Sequence, residues 1–244
     1  MGWKVYYAVL MWRFHRRKIL PSGWVNRVPI CECHSPLVDI SKSKVFFSMS
    51  ESAKKRGGCW VREEVADFLR AAEMFLPKGY KLHFFGGWRH FVVQMTNWES
   101  NLADKRKEFP NASESEVKRI SRMTSADPTR GGFGPHQTGG AIDLTIVDRH
   151  GKELDMGTKF SFHGPESATD FPGITSKQRA NRNMLRDAMT RAGFQNYPGE
   201  WWHYSYGDRA YAAYQRLPCA IYGEVYCHDY KLTKEEKKLW ENKK

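Results

Sequence analysis

Between Pro135 and Asp148 the chain reads PHQTGGAIDLTIVD, with an imidazole at His136 and a carboxylate at Asp143 on either side of Gly139-Gly140. Imidazole nitrogen and carboxylate oxygen are donors that zinc accepts. Ala141 to Val147 is a short run of aliphatic and β-branched residues ended by Asp148-Arg149-His150-Gly151, which predicts a buried strand closed by a turn. A carboxylate inside such a strand is costly unless a positive group neutralises it. His136 lies seven residues before Asp143, an odd offset, so on one regular strand the two side chains would face opposite ways. A tight turn or bulge with positive φ at Gly139-Gly140 would let them converge on one ion. Two donors do not make a site, and a loop histidine and an aspartate that never meet fit this stretch equally well.

Further along, Glu200-Trp201-Trp202-His203 supplies what is missing. With His203 the set becomes two imidazoles and a carboxylate, which leaves a fourth tetrahedral position for water, the mark of a catalytic rather than a structural zinc. Zinc lowers the pKa of such a water to about 7 and so generates hydroxide at neutral pH. Glu200, three residues before His203, is the candidate general base that takes the proton and carries it to a leaving amine. On a regular strand that offset would turn Glu200 away, so it is expected in the bend after Gly199, swung back toward the metal. Arg89, which follows Gly86-Gly87 and Trp88 past a strand end, is the candidate for stabilising the oxyanion of a tetrahedral intermediate. Each residue also has a plainer reading: Glu200 and Arg89 as surface groups, His203 as a hydrogen-bonded core imidazole, Trp201 and Trp202 as core. The other seven histidines lack comparable partners and are read as structural.

The elements that must position these groups are legible to different degrees. Residues 1–60 are punctuated by Pro21, Pro29, Pro36 and Gly57-Gly58, with a strand expected at Val45-Phe46-Phe47. Val61, Val65, Phe68, Leu69, Ala72, Phe75 and Leu76 recur at helical spacing up to Pro77-Lys78-Gly79. A strand over Tyr80–Phe85 and a helix over Phe91–Phe109 follow, then a capping box at Ser113 and Glu116 that opens a short helix reaching Met123. The strand from Ala141 is expected to return as a hairpin through Leu154–Phe162. Ser176 is the expected cap of a helix whose stripe is Ala180, Met184, Leu185, Ala188 and Ala192, closed by Gly193. Glu200–Tyr204 reads as a strand, and the Lys- and Glu-rich tail after Lys231 as frayed or weakly helical.

Composition narrows the classes. A chain of 244 residues, 41% hydrophobic and 14% aromatic, can bury a proper core as one domain with peripheral elaborations. No apolar run approaches the roughly 20 residues of a membrane helix. Val5–Trp12 is a short apolar stretch with the strong basic charge following it and no small-residue cleavage site, which points to a first structured element rather than an export signal and to a cytoplasmic location. Five cysteines without framework spacing fit a reducing compartment, and Cys31-x-Cys33-His34 has no second pair to complete a metal site. The net charge of +12 raises an anionic partner, with basic clusters at Arg13–Lys18, Lys54–Arg56, Lys105–Lys107 and Lys118–Arg122. Their scatter over several elements, among acidic residues, favours a solvated surface over a nucleic-acid site.

His-x6-Asp followed by Glu-x-x-His, with Gly87-Trp88-Arg89 upstream, resembles the D-alanyl-D-alanine dipeptidase family, the VanX-like zinc peptidases. The resemblance runs from about Val28 to Val225 and takes in Pro135–Leu144, Asp155-Met156-Gly157-Thr158, the helix through Asn181–Gly193, and Asn196–Arg209. It implies one zinc on His136, Asp143 and His203, Glu200 as catalytic base, Arg89 as transition-state stabiliser, and hydrolysis of D-Ala-D-Ala in cell-wall precursor or recycling metabolism. Three positions depart from the family pattern: His90 for a proline, Gly134 for a serine, and Ser161 for an aspartate that helps hold the substrate's amino group. Ser161, Asp155 and Trp202 are the candidate substrate-binding residues, with Asp155 or Glu166 as stand-ins for the absent charge. The resulting expectation is an α+β single domain, a central mainly antiparallel sheet flanked by helices with zinc in a cleft. Residues 28–230 would form it, with 1–27 as an N-terminal extension and 231–244 as a charged tail. Rival readings are a D,D-carboxypeptidase or peptidoglycan endopeptidase acting on longer stem peptides, and a non-catalytic binder of anionic polymer.

Overall fold

The computed structural model describes residues 19–42, 48–122, 125–130, 134–162 and 164–241. The strand expected at Val45-Phe46-Phe47, the basic cluster Arg13–Lys18 and the apolar stretch Val5–Trp12 lie outside the described residues. Helix α1 (Ser22–Val25) and strands β1 (Leu37–Asp39) and β2 (Ser48–Met49) come first. Helix α2 (Glu51–Lys55) is capped by the Ser50 hydroxyl, which accepts the Ala53 N–H. Strand β3 (Trp60–Arg62) runs directly into helix α3 (Glu63–Met74). The helical spacing placed Val61 in that helix, but Val61 pairs with Val38 of β1. Both periodicities are satisfied by a fully buried residue, and strand pairing decides between them.

Strand β4 (Lys81–Gly86), helices α4 (Phe91–Glu108) and α5 (Glu114–Ser121), and strand β5 (Ala141–Val147) follow. The predicted capping box of α5 is present at Ser113 and Glu116. Helix α6 (Ser176–Arg191), strands β6 (Gln195–Asn196) and β7 (His203–Ser205), and helices α7 (Arg209–Gln215) and α8 (Lys234–Glu241) complete the chain. The main sheet has the order β2-β4-β5-β7-β6, parallel only between β2 and β4, and β1 and β3 form a separate antiparallel pair. This is the expected α+β architecture.

All seven residues of β5 are buried, and their alternation divides the labour. Ile142, Leu144 and Ile146 join Val65 and Leu69 of α3 and Leu185 and Met189 of α6 in the main core. Each such side chain taken out of water stabilises the fold by about 1.5–3 kcal/mol. The intervening positions include Asp143, on the opposite face of the strand.

Several local expectations shift. The hairpin after β5 is a stub: Val147 bridges Glu153 and Leu154 N–H reaches Ile146 O, but the chain then leaves the sheet. Gly157 at φ 87, with its N–H accepted by Asp155 Oδ1, turns it away. Thr175 rather than Ser176 caps α6, reciprocated by Gln178. On that helix Ala180 is exposed, whereas Asn181 and Arg182 are buried. Met184, Leu185, Ala188 and Ala192 keep the expected apolar stripe, while Asn181 and Arg182 donate to the carbonyls of Asp155, Met156, Glu166 and Ala168, a polar clamp that fastens the loop 155–168. Glu200–Trp202 forms a turn, and β7 begins only at His203. The tail is helical and docked: Glu236, 4% exposed, takes a bidentate pair from Arg56 at 2.8 and 3.0 Å. Among the described residues no helix is long and apolar enough to cross a membrane.

Candidate metal centre

Sheet register brings the distant residues together. Asp143 on β5 pairs with His203 on β7 on one side and with Gly86 of β4 on the other. A bulge between Phe84 and Gly86 ends β4 and releases Gly87-Trp88-Arg89 toward the same spot. His136 arrives by a different route, in a single 3-10 turn over Pro135–Thr138 that stops at Gly139 with φ 74. That left-handed residue corrects the parity of the seven-residue offset, and a Cβ there would lie 2.5 Å from Leu37.

The donors converge closely. His136 Nε2 lies 3.2 Å from Asp143 Oδ2, and His203 Nδ1 lies 3.0 Å from Asp143 Oδ1. Tetrahedral zinc with bonds of about 2.0–2.1 Å needs its donors roughly 3.3 Å apart, close to these contacts. All three groups are buried, and their ligand atoms lie within 4.8 Å of one another. Their protonation suits a cation. Burial and the nearby Arg89 guanidinium push His136 down to about 4, leaving its ring neutral. Burial opposes ionisation of Asp143, but the two imidazoles and their hydrogen bonds outweigh it and hold the carboxyl well below its usual range. Burial likewise works against the charged form of His203, yet its hydrogen bond to Asp143 raises it overall. That upward shift follows the ring's proton-sharing with Asp143, the contact a bound cation would replace. The donor set, with one ionised oxygen and two imidazoles, fits a divalent metal.

Around this set stand the other expected residues. Arg89 Nη2 lies 3.0 Å from Asp143 Oδ2, and its Nη1 donates to Gln94 Oε1 at 3.0 Å. The Arg89 N–H donates to His136 O, which ties the two loops together. Glu200 sits in the bend after Gly199, its Oε2 4.0 Å from His203 Nδ1. Its side chain keeps 21% exposure, and burial pushes its carboxyl up to about 7 against the pull of His203. Asn196 Nδ2 donates to the carbonyls of both Glu200 and His203, and Ser167 O accepts the Trp201 N–H. These bonds fix the turn that carries Glu200.

The centre opens into a cleft of about 860 Å³ that Arg89, Glu200, Ser161 and Trp202 help to line. Asp155 is the exception among the expected residues. It lies outside that lining, its oxygens accept the Gly157 N–H and Gln178 Nε2, and it serves the loop rather than the cleft. Glu166 is also outside the lining. Ser161 faces the cleft from a backbone at φ 61. Sequence reasoning missed the aromatic wall in which Phe160 stacks on Phe85 at 4.1 Å and meets the edge of Trp202. It also missed Gln94, a lone amide in the first turn of α4, and Asn196. The amide in an otherwise apolar helix start was the available signal for Gln94.

The chain matches the sequence profile of Peptidase_M15, described as D-ala-D-ala dipeptidase, over residues 49–221. It is 33% identical over 156 residues to a D-alanyl-D-alanine dipeptidase of Enterococcus faecium, covering 61% of this chain and 73% of the relative. A D-alanyl-D-alanine dipeptidase of Enterococcus faecalis is 34% identical over 155 residues, covering 60% and 73%. A solved structure of a mutant vancomycin resistance D,D-pentapeptidase VanY, from a VanB-type resistance cassette and in complex with Zn(II), aligns with a TM-score of 0.43. It is 16% identical and covers 83% of this chain and 91% of its own.

Proposed function

Since the chain belongs to the D-ala-D-ala dipeptidase family Peptidase_M15, a family of metallopeptidases, we propose that it is a zinc-dependent hydrolase cleaving the D-alanyl-D-alanine dipeptide. The observation that carries this reading is the convergence of His136, Asp143 and His203 beside Glu200 at the wall of a cleft. When bound by these three residues, zinc would polarise the scissile carbonyl and bring the pKa of a coordinated water to about 7.

The chain's own groups do the rest. The Glu200 carboxylate, held 4.0 Å from His203 Nδ1, accepts the proton of the attacking water and returns it to the leaving amine. Arg89, already held in place by Gln94, meets the negative charge that develops on the carbonyl oxygen. Phe160 and Trp202 exclude water from one side and offer an apolar surface to the methyl groups of alanine. Ser161 contributes a hydroxyl to the substrate from the cleft wall.

That hydroxyl also favours a second reading. A dipeptide brings a free ammonium group, which a neutral serine meets less well than a carboxylate would. The neutral Ser161 thus supports a D,D-carboxypeptidase acting on longer stem peptides as the alternative. Incubating the zinc-loaded chain with D-Ala-D-Ala and with a stem pentapeptide separates the two. Release of free D-alanine from the dipeptide alone supports the first reading, and release from the pentapeptide alone supports the second. No release from either, with zinc present, overturns the hydrolase. A binder of anionic polymer is disfavoured, because within the described basic clusters several charges are already paired. Lys54 pairs with Glu51, Arg56 with Glu236, Lys105 with Glu108, Arg106 with Glu114, and Arg122 with Asp127.

A further inference from the structure

Both imidazoles of the donor set turn one ring nitrogen to Asp143, and a metal needs that nitrogen with its lone pair free. The proton must therefore sit on the other nitrogen, and whatever that nitrogen touches decides the tautomer. His136 is provided for by backbone: its Nδ1 lies 2.8 Å from Gly87 O, an acceptor only, so Nδ1 carries the hydrogen and Nε2 is free. His203 is arranged the other way round. Its Nδ1 faces Asp143, and its Nε2 lies 3.4 Å from the Ser205 hydroxyl.

A hydroxyl donates and accepts alike, so Ser205 alone leaves the choice open. The deciding group stands behind it. Asp208 is 1% exposed and caps α7, its Oδ1 accepting the Tyr211 N–H at 2.7 Å. Its carboxylate faces the Ser205 hydroxyl, and Oδ2 takes no hydrogen bond of ordinary geometry from the described residues. A buried acceptor draws the nearest available proton. If Ser205 gives its hydrogen to Asp208, its oxygen can only accept from His203 Nε2, and Nδ1 is free to give up its proton when a cation replaces its contact with Asp143.

We propose that Ser205 and Asp208 are positioning residues of the metal centre, a hydroxyl-carboxylate relay that holds His203 as its Nε2–H tautomer and delivers Nδ1 to the ion. This rests on the metal-centre reading above. The relay would do for the second imidazole what the Gly87 carbonyl does for the first.

The test is the zinc dissociation constant, measured by competition with a chromogenic chelator, for wild type, Ser205→Ala, Asp208→Asn and the double variant. Asn retains the cap to Tyr211 through its amide oxygen, so the fold is spared. Each single variant is expected to bind zinc at least about tenfold more weakly. The double variant should be no worse than the weaker single, because both changes break one chain. Long-range nitrogen–proton spectra of the metal-free chain, in which the Asp143 carboxylate draws the His203 proton toward Nδ1, should show a larger Nε2–H fraction in wild type than in the variants. Zinc affinities within twofold of a normally loading wild type, with His203 unchanged, overturn the relay alone. A wild type that takes up no zinc overturns the metal centre itself.

Discussion

Glu200 is placed to do one job and is dispensable for another. Its Oε2 stands 4.0 Å from His203 Nδ1, beside the donor set rather than within it. Glu200→Ala is therefore expected to retain one zinc per chain while losing at least about a hundredfold in kcat. Metal analysis of the purified variant alongside a D-alanine release assay checks both halves. Turnover at the wild-type rate would remove Glu200 from the mechanism. The residues around it were unequally legible. His136, Asp143, Glu200 and His203 stand out because their side chains are chemically rare in apolar surroundings. Gln94 and Asn196 act through amides that resemble any surface residue, and only their partners, Arg89 and the carbonyls of the Glu200 turn, reveal their use.

At the scale of elements, the site depends on a close approach of backbone at Gly87. Gly87 lets the Trp88-Arg89 turn lie against β3: a Cβ at this position would be 2.3 Å from Trp60 O, where no flexible side chain can yield. Gly87→Ala should displace the carbonyl that orients His136 together with Arg89. A loss of about 1–3 kcal/mol in urea unfolding, accompanied by weakened zinc binding, is expected. Glu73 joins α3 to β4 by accepting the Leu82 N–H, and burial pushes its carboxyl up to about 7 from the 4.5 of an exposed glutamate. The folded chain thus binds the more protons between those values, and the stability this contributes is full below about 4.5 and lost as pH rises through about 7. Glu73→Gln keeps an acceptor for Leu82 and removes the titration. Allowing for solvent screening, it should be more stable than wild type by on the order of 1 kcal/mol at pH 8, the difference shrinking toward pH 4.5. Urea unfolding at both pH values gives the answer, and equal differences at the two would exclude Glu73 as the source.

For the molecule as a whole, the metal centre is built on a core that does not need it. Ile142, Leu144 and Ile146 hold β5 against α3 and α6 irrespective of any ion. A chelated sample should therefore remain folded, and zinc at a hundredfold excess over its dissociation constant should add about 2.7 kcal/mol of stability. Calorimetry with and without chelator checks this, and a metal-free chain lacking a cooperative transition would show that the ion is structural. The C-terminal helix α8 belongs to the same body through Arg56 and Glu236, which its composition concealed. A charged segment reads as solvated unless its one buried carboxylate can be seen to have a cation.

The amino-acid sequence on its own determined the chemistry on offer: which side chains could grip a metal, that Gly139-Gly140 must bend the chain between two of them, and that Glu200 belongs in a bend. It determined the long helices and β5 as well, because apolar spacing and caps act over a few residues. Tertiary structure decided what depends on partners far apart in the chain. Pairing with β1 took Val61 out of the helix, the Arg182 clamp was added beside the expected apolar stripe, and the loop around Gly157 turned Asp155 away from the cleft. A local pattern records which face a residue prefers, whereas the group that satisfies a buried charge or an open carbonyl is chosen by the closing of the fold.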